Sequence, residues 1–520
     1  MSVGTRQIPL EIPDAGERND IVSHRLPLNA LAVCQNMYRN NQGRLVIRPG
    51  YKQLVSTGPG GRIMGLQYYR TAALADRTIA VNRTQIWSFS GSAWVNRTNT
   101  ALVGSTTDEP RFCIFPEGTP IAYNLLICNN QVADQLWDGA TATCADLGGS
   151  PPVFADMKVL GNRVIGLVRP NTIRISGYNT SSSWPAANAI ILADSGDIMV
   201  GMERLNRTTV GVYGDSSQWV LRSTQGSFPV RPEWVSSFPG PISARSIVFW
   251  GDRNYWLSED GNVYRFDGVQ TEAVGYAMKR FVLDNLNYNN RAMSHGCFKS
   301  KFEVIEWLFP AGTSSAPDIG IFYNVRTGEM GRLKTGNITA SAPWRTVALV
   351  TWDDLAAYTW ANIAATYPTW DSFGSAANKT EMWGDDTGQV HMVGFGDGSD
   401  NGTAIEAILE YGLLPAGGLT NYFQPMALET FFRKTTNPTT LQTSIGTTNT
   451  LMSDRTLTAA ANRDLQTDQR NDIDLSDLDL NNRFVTVRHY VNAATGGVEY
   501  LGAILHGSDA GLPGVGPTNA

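Results

Sequence analysis

The sequence predicts an all-β protein: a six- or seven-bladed β-propeller with a C-terminal β-sandwich. Three observations carry this. From about residue 60 to 400, short apolar or β-branched runs alternate with Gly, Asn, Asp and Pro turns. No interval between those turns suits a helix of globular length, so helix content under about 10% is expected. Hairpin phrases ending in an aromatic recur at irregular spacings of roughly 40 to 60 residues, as propeller blades do. Finally, only 17% of residues are charged, 10% are aromatic and 51 are Gly, which favours sheets and tight turns over helices.

At 520 residues the chain is too long for a single core, and the expected division follows composition. Residues 1–58 form a Pro-punctuated lead-in, with a hairpin expected around Asn40-Asn41-Gln42-Gly43. Pro13, Pro27 and Pro49 and the lack of long apolar runs give this segment little core of its own, so other parts must order it. It is expected to serve in assembly, and a chain lacking residues 1–51 is expected to fold.

Residues 59–402 form the propeller. Its clearest part is 161–268, where 164–168, 171–176, 247–250, 254–258 and 263–266 read as strands and 190–199 as a stretch that turns at 194–197. Arg169-Pro170-Asn171, Asp194-Ser195-Gly196-Asp197, Gly251-Asp252 and Glu259-Asp260-Gly261 mark the bends, and 181–185 is a polar loop bearing Trp184. Outer hairpins are marked by IWSFSGSAW from Ile86, QLWDGATA from Gln135, SQWVLRS from Ser217, NVYRFDG from Asn262 and EMWGDDTGQVHMV from Glu381. The aromatic, Ala-rich stretch 352–376 breaks the pattern and reads as one short helix or an inserted loop.

Residues 403–506 read as a sandwich with strands at 404–411, 424–433, 439–445, 484–491 and 498–505. Residues 507–520 are a Gly/Pro tail.

Two passages also resemble a known family. The phrase VRPNTIRISGYNTSSSWPAAN from Val168, followed by VGMERLNRTTVGVYGDSSQWVLRS from Val200, is one. The opening LPLNALAVCQNM from Leu26, leading to GRLVIRPGY from Gly43, is the other. Both are similar to the β-propeller tail nozzle or hub proteins of tailed bacteriophages, the packaged-DNA stabilisation proteins that extend the neck of short-tailed phages. The resemblance implies a virion tail component, made in the host bacterial cytoplasm, that forms part of the DNA-exit channel and retains packaged DNA. It implies a ring of copies of this chain, six in number. The other partners it implies are head-to-tail adaptor or neck proteins, tail fibre or spike proteins, and genomic DNA in transit. In that family a small sandwich follows the propeller, and the opening segment lies along the propeller or closes it.

Composition narrows the function classes. A net charge of −6 argues against nucleic-acid binding driven by overall basicity, and it suits a channel that DNA must leave. The N-terminus carries no apolar signal region and no run of 18 apolar residues occurs, so neither export nor membrane insertion is expected. Cys34, Cys113, Cys128, Cys144 and Cys297 are odd in number and lack a CxxC pair, so buried, reduced thiols are expected. The sequons at Asn82, Asn96, Asn206, Asn337, Asn378 and Asn401 are read as turn residues.

Catalytic motifs are missing, and no catalytic, cofactor-binding or metal-binding residue is assigned. His24, His295, His391, His489 and His506 form no HxH or HExxH pair, and His489 is read as a packed strand residue. Asp397, Ser399 and Asn401 imitate half a calcium loop, but Ile408 stands where the closing Glu belongs. The segment is read as a polar linker, with cation binding left open. The run Asp472, Asp474, Asp477 and Asp479 alternates with Ile473 and Leu475, as in a strand with one wet face, and a cation site there is also left open. GxSxG, Walker and GxGxxG motifs are absent. Ser258-Glu259-Asp260-Gly261 is one spacer short of a sialidase Asp box and is not repeated.

The expected function is therefore non-catalytic: a tail nozzle or hub. The alternative is a propeller glycan-binding or glycan-processing tail protein, sialidase-like, which clustered Arg and carboxylates at the propeller axis favour. A cellular propeller scaffold is a third reading, marked by regular WD or kelch signatures that are not visible.

Overall fold

The computed structural model describes residues 5–10, 12–71, 73, 75–105, 108–119, 121–192, 196–224, 228–345, 379–394, 398–414, 422–433, 439–448, 456–465, 470–476, 484–493 and 498–509. The protein is 54% strand and 5% helix, which settles the all-β class. The α-helix Lys279–Asn285 sits between the fifth and sixth blades. The stretch 352–376 lies outside the described residues.

Seven four-stranded blades are found among the described residues. Blade one is Ile63–Arg70, Asp76–Asn82, Ile86–Phe89 and Trp94–Asn96; blade two is Arg111–Glu117, Ala122–Cys128, Gln135–Trp137 and Ala145–Asp146. Blade three is Asp156–Leu160, Arg163–Val168, Thr172–Ile175 and Ala189–Ile191; blade four is Met199–Asn206, Thr209–Gly214, Gln218–Ser223 and Val230–Ser236. Blade five is Val248–Trp250, Arg253–Leu257, Val263–Phe266 and Thr271–Ala273; blade six is His295–Lys299, Val304–Phe309, Ile319–Asn324 and Met330–Lys334. Each blade is an antiparallel meander, and the first strand of each meets the first strand of the next, from blade seven back to blade one.

Blade seven is discontinuous. Ile338–Arg345, Lys379–Asp385 and Val390–Val393 supply three strands, and the fourth is Tyr51–Gln53 from the lead-in, with Val393 opposite Tyr51. Closing a ring with a strand from the other end of the chain leaves no open joint between the first and last blades. Gly388 permits this closure. It has φ +94, and a Cβ there would stand 2.5 Å from the backbone of Gly60 and Gly61, where blade one is entered.

Turns form where the sequence places them. In all three Asn-Arg-Thr sequons the Asn side chain accepts the amide of the Thr two residues on: Asn82 from Thr84, Asn96 from Thr98 and Asn206 from Thr208. The lead-in hairpin joins Met37–Arg39 to Leu45–Ile47, with Gly43 N donating to Asn40 O across the turn.

The sandwich draws on both ends of the chain. One sheet runs Met37–Arg39, Leu45–Ile47, Glu499–Asp509, Phe423–Phe432, Arg470–Asp474, with Thr5–Leu10 also paired to Glu499–Asp509. The other contains Leu31–Gln35, Thr403–Tyr411, Phe484–Ala493, Thr440–Thr448 and Thr456–Asp464. Leu10, Leu31, Tyr38, Leu409, Tyr411, Leu428, Val485 and Tyr500 are buried between them. The same core runs into the propeller through Val304, Leu308, Phe322 and Trp383.

The lead-in is therefore woven into both modules of the chain. Its strands are interior parts of the sandwich and the outer strand of blade seven, so removal of residues 1–51 takes away core rather than an appendage. This arrangement runs against the expectation that a chain lacking them folds.

Candidate functional site

In a propeller the loops entering each first strand and those joining second to third strands gather at one end of the axis. Here they form a funnel of about 390 Å³. Its wall carries Asp108, Glu109, Asn129, Arg169, Asp215, Glu259 and Arg291, with the apolar Ile198 and Ile242 among them. Arg291 Nε donates to Glu259 Oε1 at 2.6 Å. The Asp215 carboxyl is held above its ordinary range by burial and by Asp197 and Glu259, with Arg169 and Arg291 pulling the other way. Arg169, Arg291, Asp215 and Glu259 thus share one rim. Such a rim can orient a polar ligand by paired hydrogen bonds.

Beside the funnel the first strands line a half-open axial cavity of about 170 Å³, and Arg111 lines both spaces. Nearly every blade places a charge there. Arg111 reaches Asp156 at 3.3 Å and Glu203 at 3.9 Å, and Lys158 reaches Glu203 at 2.9 Å and Asp156 at 3.8 Å. Arg245, just ahead of blade five, grips Glu109 with two prongs and donates to the Met64, Thr339 and Met293 carbonyls. Burial raises Glu109 and lowers Arg245 against their mutual attraction. His295, the first residue of blade six, is pushed down to about 3 by burial and by the charge of Arg245.

A second buried cluster lies where the lead-in meets blades six and seven. Lys299 Nζ is 3.1 Å from Glu306 and 4.5 Å from the centre of the Trp383 ring. Tyr38 donates its hydroxyl to Glu306. Burial raises Glu306 and Glu381 and lowers Lys299. These groups tie three segments together, and their chemistry is that of an internal joint.

The sequence singled out other residues, which fall in separate places. His489 is buried against Phe432 and Tyr500 and meets Thr443 at 3.2 Å, a packed strand residue as expected. His391 faces Asp385 at 2.9 Å in blade seven, His506 faces Glu429 at 3.1 Å in the sandwich, and His24 is half-buried. Asp397 is outside the described residues; Ser399 caps the turn through Gly402 N, and Asn401 has φ 50. Asp472 and Asp474 are exposed while Ile473 and Leu475 are buried, the alternation expected; Asp477 and Asp479 are not described. No group of three or more His, Cys, Asp or Glu suited to a metal occurs among the described residues. All five cysteines are buried and unpaired.

In the Ser258-Glu259-Asp260-Gly261 turn, Asp260 accepts the Asn262 amide and the Tyr264 hydroxyl, while Glu259 reaches the funnel. The axial charges themselves escaped sequence reading. They lie on the first strand of each blade or just ahead of it, and the available signal was a charge near the start of an apolar strand.

No family model matches the chain, and no curated protein matches it. Among solved structures it is similar to BBS1N in complex with ARL6DN, at 9% identity and TM-score 0.41 over 67% of this chain and 98% of that one. It is similar to the WD40 beta propeller domain of Doa1, at 9% identity and TM-score 0.36 over 66% and 97%. BamB from Moraxella catarrhalis is similar at 14% identity and TM-score 0.34 over 66% and 100%. These likenesses are ones of fold alone.

Proposed function

We propose that the protein is a structural component of a bacteriophage tail, a nozzle or hub subunit that extends the neck and retains packaged DNA. The phrases from Leu26, Val168 and Val200 support this reading. The observation that carries it is the double capture of the lead-in. Residues of one short segment complete both the sandwich and blade seven, which welds two modules into one block. Such a block suits a subunit that holds shape under load while its loops meet neighbours. On this reading copies of the chain form a closed ring of six around a DNA channel, with adaptor or neck proteins above and fibre or spike proteins around it. Closed rings use two different complementary surfaces on each subunit. Electron microscopy of the purified protein and of its virion tests this. A sixfold ring continuous with the neck is expected; a monomer isolated in its particle overturns the reading.

A second reading is a glycan-binding or glycan-processing tail protein. The funnel favours it, because Arg169, Arg291, Asp215 and Glu259 are clustered arginines and carboxylates at the propeller axis. Turnover of a sialic-acid or polysaccharide substrate, abolished by Asp215→Asn or Glu259→Gln, decides for it. Saturation without turnover decides for binding alone.

A further inference from the structure

The axial cavity has more hydrogen-bond donors than acceptors. Its polar lining includes Arg111 of blade two, Lys158 of blade three, Glu203 of blade four, Arg245 ahead of blade five and His295 of blade six; blade seven adds the uncharged Ser341. Three cations thus face one carboxylate of the lining, with Asp156 and Glu109 paired to Arg111 and Arg245 from outside it. The acceptors are heavily committed. Both Glu109 oxygens are held by Arg245. Asp156 Oδ1 receives the Met157 amide and Oδ2 the Met202 amide, besides its ion pairs.

Three buried polar atoms of the lining meanwhile lack partners: Arg111 Nε, His295 Nε2 and Ser341 Oγ. His295 is 2% exposed and lines the cavity. Its Nδ1 faces the Met293 carbonyl at 3.5 Å, which leaves Nε2 turned to the remaining space. An unpaired buried donor beside surplus positive charge is costly unless an acceptor fills the space.

We propose that the axial cavity is a binding site for one small monovalent anion, of halide or formate size, held by Arg111 and Lys158 with His295 as a proton-linked third contact. The volume of about 170 Å³ holds such an ion with a few waters. Arg111, shared by funnel and cavity, marks the way in. Burial and, after it, the Arg245 charge keep His295 neutral; an anion offsets that charge, so the imidazole takes up a proton more readily as the anion enters and Nε2 becomes a donor. Protonation of Glu109, whose carboxyl is also raised, adds positive charge in the same direction. Anion affinity therefore rises as pH falls. The inference stands whichever function is correct.

The test uses the intact wild-type chain. Crystals soaked in sodium bromide are measured at the bromine edge, and Tm is followed against chloride, with gluconate holding ionic strength constant. The expected result is an anomalous peak in the cavity in contact with Arg111. Tm should rise saturably with chloride, with a midpoint lower by about threefold or more at about pH 5.5 than at about pH 7.5. His295→Gln, which keeps size and polarity, should reduce that pH effect while leaving a saturable response. Bromide found only at the surface, or a Tm insensitive to chloride, overturns the proposal. A His295→Gln protein with the full pH effect removes His295 from the site.

Discussion

Arg48 and Asp400 form a two-pronged ion pair across the joint between lead-in, propeller and sandwich. Nη1 donates to Oδ1 at 2.9 Å, and Nη2 donates to Oδ2. The Arg48 side chain is 1% exposed and also donates to Asn36 Oδ1 and the Lys334 carbonyl. Breaking one side of a buried pair leaves the other charge without compensation, at a cost of about 3–5 kcal/mol. Arg48→Met should lower the unfolding free energy by that amount, with a matching fall in the urea midpoint. Arg48→Lys should recover little, because an ammonium cannot match the fork. The double variant Arg48→Met with Asp400→Leu should be more stable than Arg48→Met alone. Equilibrium unfolding of the three proteins checks this.

Deleting residues 1–53 should yield an insoluble or unfolded chain rather than a free propeller. The deletion removes six paired residues opposite Glu499–Asp509, the Leu31–Gln35 strand beside Thr403–Tyr411, and the fourth strand of blade seven. It also uncovers Leu409, Tyr411, Trp383 and Val393. Exposed sheet edges of this kind aggregate. Expression and far-ultraviolet circular dichroism of the truncated chain provide the check; a soluble protein with a native strand signal contradicts the interlocked core.

The local sheet pattern was largely legible in the sequence. The five strands read at 164–168, 171–176, 247–250, 254–258 and 263–266 fall on strands with ends within a residue or two, and the stretch 190–199, read with a turn at 194–197, lies between the strands Ala189–Ile191 and Met199–Asn206 and overlaps their ends. The aromatic phrases fall on the third strands of blades one, two, four and five and on the hairpin of blade seven. Blade six carried no such phrase. Its second and third strands are buried almost throughout because the lead-in and sandwich cover them, so the polar alternation that marks an outer hairpin is missing. The fourth strand of blade seven was illegible for another reason: Tyr51 and Val393 are far apart in sequence, and local periodicity carries no information about such a pairing. The axial charges share that difficulty, since each is an isolated residue until the ring closes.

The five cysteines should be inert in the native protein. All are buried, and burial pushes Cys113 and Cys144 up to about 12 and raises Cys34, Cys128 and Cys297 as well. Thiolate is the reactive form, so reaction with a disulfide reagent near neutral pH should require unfolding. Fewer than one thiol per chain should react promptly in buffer, and all five should react in denaturant. Prompt reaction of a thiol in the native state would show that its part of the fold opens readily.

Asp134 should make the protein less stable as pH rises. It is 2% exposed at the edge of blade two, where Oδ1 accepts the Phe154 amide at 3.4 Å and Oδ2 has no partner. Burial pushes its carboxyl up to about 8. In the unfolded chain the group ionises near the ordinary aspartate value of about 3.9. The folded state therefore keeps a proton that the unfolded state has lost, and the favourable contribution present below about pH 4 is lost progressively up to about pH 8. His489 works from the other side. Burial holds it down to about 3, so stability is lost as pH falls from about 6.5 toward that value. Asp134→Asn keeps the shape and the Phe154 contact without a charge to bury. It should gain at least about 1 kcal/mol over wild type at about pH 8 and change little at about pH 4. His489→Gln should flatten the acid limb and leave the alkaline limb alone. Urea unfolding of wild type and both variants across about pH 4–9 measures the two limbs separately; an Asp134→Asn profile parallel to wild type would mean the carboxyl is ionised in the folded protein.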